Sequence, residues 1–65
     1  MTRISKFLQN IRMSDWADVR SELLARVSRV TLTNWKQGVY EADSIYWKPI
    51  NDIAEKYGYE KPYSL

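Results

Sequence analysis

Arg29 heads a run of uncharged hydrogen-bonding side chains, Thr31, Thr33 and Asn34, within the segment VSRVTLTNWKQG at residues 27–38. A forked guanidinium beside short polar groups suits recognition of hydrogen-bonding edges on a partner. The wider charge pattern points the same way. Residues 1–38 hold seven Lys or Arg against three Asp or Glu, whereas residues 39–65 hold three against five, within a chain of formal net charge +2. A basic half joined to an acidic one is an electrostatic signal for a phosphate-bearing partner. Bond-making chemistry is poorly supplied. With neither Cys nor His, the chain has no disulfide, no thiolate nucleophile or zinc ligand, and no imidazole for proton transfer near neutral pH. Asp52 and Glu55 have no histidine or third acid near them in sequence, so a solvated helix face is expected there. No enzyme, no metal and no other cofactor is expected.

These candidate contacts must be carried by helices. At 65 residues there is room for one domain and one core. Ile4, Phe7, Leu8 and Ile11 recur at helical spacing and predict a first helix over about residues 2–12. Ser14 and Asp15 are the capping candidates of a second, whose inner stripe is Trp16, Val19 and Leu23, with Leu24 beside it and an end near Ala25 or Arg26. Val27 is expected as a buried turn residue. Ser28 caps a third helix with Leu32 and Trp35 inward, which Gly38 stops by turning left-handed. Residues 39–43 form a loop. A short turn over 44–47 then leads to a last helix from Pro49 to about Tyr57, because proline is welcome at a first helical position. Gly58 ends it, and residues 59–65, with a second proline and no stripe, are expected to be an extended or weakly ordered tail. The fold class expected is all-α, a small bundle of four to five helices with a central helix-turn-helix, and the domain runs over residues 1–58.

Residues 27–38 make this specific. The hydrophobic turn residue Val27, the cap Ser28, the aliphatic Leu32, the aromatic Trp35 and the terminal Gly38 resemble the helix-turn-helix of the phage repressor and Cro superfamily. The amphipathic helix before the motif and the Ile-rich INDIAEKYG after it extend the resemblance to about residues 2–58 and imply a lambda-repressor-like fold. That group usually has a small residue inside the first motif helix and a glycine in the turn; Glu22 and Arg26 stand at those positions here.

The resemblance implies a sequence-specific regulator of transcription on double-stranded DNA, from a phage or mobile element, acting in the bacterial cytoplasm with the helix at about 28–37 in the major groove. In that docking mode Arg29, Val30, Thr33 and Asn34 are the base-contacting candidates: Arg29 pairing with guanine, Val30 touching a thymine methyl, Asn34 bonding adenine or a phosphate oxygen. Arg26, Ser28 and Lys36 are the phosphate-contacting candidates, and the basic residues Arg3, Lys6 and Arg12 of the first helix are ordinary solvated charge. Trp16 and Trp35 belong to core stripes. Tyr40, Ile45, Tyr46 and Trp47 supply more ring and aliphatic surface than a core this small absorbs, so they divide between core cover and the interface of a homodimer. No apolar run nears the roughly 18 residues of a membrane span, and no small-molecule substrate is expected. A protein-interaction adaptor, of phage-assembly or antirepressor kind, that uses the aromatic C-terminal half is the alternative from another functional class.

Overall fold

The computed structural model describes all 65 residues and contains helices and turns but no strand. Its elements are α1 (Arg3–Gln9), α2 (Met13–Leu24), α3 (Arg29–Gln37), a 3-10 turn (Ser44–Tyr46) and α4 (Trp47–Lys56). No helix is long and apolar enough to cross a membrane.

The first helix is shorter than its apolar stripe suggests. Thr2 caps it through its hydroxyl, which accepts from the Ser5 amide at 3.1 Å. At the other end the Asn10 side chain donates to the Lys6 carbonyl at 2.7 Å and the Asn10 amide turns back to Phe7. That side-chain competition for a helix carbonyl closes α1 at Gln9. Ile11 lies outside the helix and still packs on the core. α2 consequently begins earlier than expected: Arg12 occupies the cap position and makes no side-chain capping bond to the helix amides. Ser14 and Asp15 lie inside the first turn, where Asp15 meets the positive end of the helix dipole.

The connection between α2 and α3 is built without glycine. Ala25 stays right-handed, the amides of Arg26 and Val27 both donate to the Leu23 carbonyl, and no residue other than a glycine takes a positive φ. Glu22 also finds a use. Its carboxylate accepts from the Tyr57 hydroxyl and from Lys56 Nζ at 3.1 Å, tying α2 to α4 and its end. α3 follows its local signals. Ser28 Oγ accepts from the Thr31 amide, and Gly38 takes φ 78° while the Val39 amide returns to the Asn34 carbonyl.

In α4 the proline sits two residues deeper than expected, still within the first turn. The helix starts at Trp47 and Pro49 is its third residue, a place where the missing N–H has no intrahelical acceptor to lose. Each helix sends a stripe inward: Ile4, Phe7 and Leu8 from α1, Val19 and Leu23 from α2, Leu32 and Trp35 from α3, Ile50, Ile53 and Ala54 from α4. Trp16 and Val27 pack on that core from its half-buried edge.

The tail carries no helix or strand over residues 59–65, in keeping with an extended end, but it is packed onto the core rather than weakly ordered. Tyr63 is buried in the core and stacks on Trp47 with ring centroids 4.7 Å apart. The buried amide of Asn51 reads the Tyr63 backbone as a neighbouring strand would, donating to its carbonyl at 2.8 Å and accepting from its N–H at 3.1 Å. Helical periodicity carries no signal for such contacts, because the tail is held by individual rings, hydroxyls and one side-chain amide rather than by a repeating stripe.

Candidate nucleic-acid interface

α3 is gripped at one end and free at the other. Toward its C-terminus Trp35 is buried and meets Tyr46 edge-on at 5.4 Å, and Gln9 Nε2 donates to the Lys36 carbonyl at 2.7 Å. A Cβ at Gly38 would stand 3.4 Å from Ser5 Oγ, so α1 and the end of α3 approach closely where glycine is also needed for its left-handed backbone. Toward the N-terminus Arg29, Val30 and Thr33 are exposed, and Val30 is 70% accessible. The amides of Arg29 and Val30 make no hydrogen bond within the chain, which leaves two donors at the helix end.

Arg29, Val30 and Thr33 therefore share one open surface. Asn34 is half-buried and its amide points at the Tyr40 hydroxyl, 3.4 Å away. Among the phosphate candidates, Arg26 is exposed in the turn. Lys36 lies over the Trp16 ring, 4.3 Å from its centroid, which fixes the amine on the α2 side of α3 while leaving its charge toward solvent. The Ser28 hydroxyl is engaged on both sides, accepting from the Thr31 amide and donating to Thr31 Oγ1 at 3.1 Å.

The electrostatics separate this surface from the rest. Arg3, Arg12, Lys48, Lys56 and Lys61 each pair with a carboxylate. Lys6, Arg20, Arg26, Arg29 and Lys36 do not, and four of these five lie on α2, the turn and α3. Residues 23–40 contain no acid at all. Arg20 was not singled out by sequence reasoning. Its position four residues after Trp16 on α2 was the available signal, since that spacing shares a helix face.

The aromatic group divides. Tyr46 packs on Trp35, and Trp47 stacks on Tyr63 while its indole N–H donates to the Ala42 carbonyl at 2.8 Å. Tyr40 and Ile45 are exposed, by 44% and 74%. Asp52 and Glu55 stand on the open side of α4 in ion pairs with Lys48 and Lys61.

Three carboxylates outside the α3 surface each accept from a tyrosine hydroxyl. Tyr59 donates to Asp15, Tyr57 to Glu22 and Tyr63 to Glu41. The Tyr59 bond, helped by Arg12, holds the Asp15 carboxyl below its usual range, and the bonds from Tyr57 and Lys56 do the same for Glu22. Burial pushes Glu41 up, but the Tyr63 hydroxyl and the amides of Arg3, Ile4 and Ala42 outweigh it and leave its pKa lowered. The bonded phenols move the other way: the bond to Glu22 takes Tyr57 up to about 12, and burial together with Glu41 raises Tyr63. Glu41 also caps α1 from a loop 37 residues away, accepting from the amides of Arg3 and Ile4 at 2.9 and 3.0 Å. Searches against protein-family models, curated proteins and solved structures return no match for this chain.

Proposed function

We propose that this chain is a sequence-specific, double-stranded DNA-binding regulator of transcription, of the repressor or Cro kind, with α3 entering the major groove. The observation that carries the reading is the free end of α3: Arg29, Val30 and Thr33 stand exposed together at the head of a helix whose other end is locked by Trp35, Gly38 and Gln9. Arg29 offers a fork to the guanine edge, Val30 a methyl surface to thymine, and Thr33 a short hydroxyl one turn further on. Asn34 joins them by releasing its long bond to Tyr40. Arg26 and Lys36 take phosphates on either side, and the unbonded amides of Arg29 and Val30 suit a phosphate at the helix end. Cations already paired elsewhere in the fold do not compete for this role.

A protomer with three or four base-contacting side chains reads a short site. Two copies on a two-fold operator, spaced by about one helical turn of roughly 34 Å, supply the missing affinity. The exposed Tyr40 and Ile45, beyond the end of α3, are the surface for that pairing. The same exposed group, with Val39 at 61% accessible, favours the second reading, a protein-interaction adaptor.

Gel-shift competition on genomic fragments across a salt series separates the two. A DNA reader loses affinity steeply between about 50 and about 200 mM salt and prefers particular fragments. An adaptor held by aromatic and aliphatic contacts shows neither behaviour, and that result defeats the proposal.

A further inference from the structure

Away from α3, a groove of about 350 Å³ runs between α1 and the tail, and none of its lining residues belongs to α2, the turn or α3. Its volume lies within the range of small-ligand sites. Arg3 and Lys6 of α1 and its cap residue Asn10 form one wall, and Glu60 and Lys61 form the other. The floor is aromatic: Phe7 and Tyr59 meet edge to face with ring centroids 6.1 Å apart.

The polar groups of this groove differ in how far the fold already uses them. Lys6 has no carboxylate partner. Arg3 is held in place, with its guanidinium 5.0 Å from the ring centroids of both Trp47 and Tyr63 and its Nε 3.7 Å from Glu41, yet its side chain makes no hydrogen bond within the chain. Lys61 pairs with Glu55 only at the exposed surface, an interaction readily exchanged for a better one. The Asn10 amide donates to the Lys6 carbonyl, which leaves its oxygen as an acceptor, and Glu60 is a second acceptor. Three cations, two acceptors and an aromatic floor together call for a ligand that joins an anionic group, several hydroxyl or amino donors and a planar ring.

We infer that this groove binds a small phosphorylated ligand of mononucleotide size, its phosphate on Arg3, Lys6 and Lys61, its ring against Tyr59 and its donors toward Asn10 and Glu60. The site would hold the tail against α1 and gives the protein a ligand other than DNA. It is independent of the reading of α3, and its test uses no DNA.

The probe is adenosine 5′-monophosphate, titrated into the full chain and followed by amide chemical shifts and thermal melting, with inorganic phosphate and adenosine titrated separately. The expected result is saturable shifts centred on Lys6, Asn10 and residues 59–61, a raised melting temperature, and binding at least about tenfold tighter than either fragment. Lys6→Ala combined with Lys61→Ala removes two exposed charges; the unliganded variant should melt as the parent does and lose at least about tenfold in affinity. Shifts no larger than those from inorganic phosphate, shifts centred on α3, or a double variant that binds as the parent does would each overturn the inference.

Discussion

All three lysines of residues 39–65 sit in ion pairs, whereas five of the seven cations of residues 1–38 have no carboxylate partner. The aromatic residues are divided as unequally, with six of the nine in residues 39–65, and three of the tyrosines there hold a carboxylate by their hydroxyls. In the C-terminal half, then, every cation is already paired within the fold. In the N-terminal half most are left over. Exposed pairs contribute only about 0–1 kcal/mol each, so the contrast concerns less how stable the halves are than which of them has charge free for an outside partner.

The largest expected effect breaks both halves together. Trp35 belongs to α3 but packs on Tyr46 of the C-terminal half, so Trp35→Ala should cost about 3–5 kcal/mol. Domains of this size are stable by only about 3–10 kcal/mol, so that loss removes about a third or more of the total and unfolds the less stable of them. Circular dichroism melting checks it, and an unchanged curve would place the ring outside the shared core.

Next comes the tail. Tyr63→Phe keeps the stacked ring and removes the bond to Glu41, and the expected loss is about 1–3 kcal/mol by urea denaturation. The pH dependence follows from the same pairs. Folding lowers the pKa of Asp15, Glu22 and Glu41, so their stabilisation is complete at neutral pH and lost as pH falls through the lowered values, beneath the ordinary carboxylate range. Folding raises Tyr57 from 10.0 to about 12 and raises Tyr63 as well. That contribution is intact below pH 10 and declines as pH climbs toward 12, because the unfolded chain gives up those protons first. Melting temperatures across both limbs test the assignment, and Tyr63→Phe should flatten each limb in part.

On the N-terminal side the comparison sharpens through the proposed DNA binding. Arg29→Ala should weaken the preferred site by about 1–3 kcal/mol and flatten discrimination at one base pair, while Lys36→Ala should weaken all sequences alike and reduce the salt slope by about 1. Equal losses on specific and random DNA for Arg29→Ala would remove it from base reading. Lys48→Ala is the smallest change. It breaks an exposed pair in which the Nζ–Oδ2 distance is 3.4 Å, and both stability and binding should stay within about 0.5 kcal/mol of the parent.

Within one turn of a helix, the sequence alone decided a good deal. Ser28 and Gly38 bound α3 in the structure as they do in the sequence, since a cap hydroxyl and a left-handed glycine act on backbone groups only a few residues away. The core stripes of α1, α2 and α3 were readable for a related reason, as spacing alone puts such residues on one face. Short-range competition marks where this reading weakens: the Asn10 side chain ends α1 ahead of its apolar stripe, and Pro49 fits a first turn at more than one position. What only the tertiary structure decided depends on pairs distant in the chain. Glu41 caps α1, Tyr59 and Tyr57 hold Asp15 and Glu22 of α2, and Asn51 captures Tyr63. A carboxylate, a phenol or an amide has no period and accepts any partner of suitable geometry, so its choice exists only once packing has brought the candidates together. The same holds for which cations stay free, because a lysine reads identically in sequence whether or not the fold gives it a carboxylate.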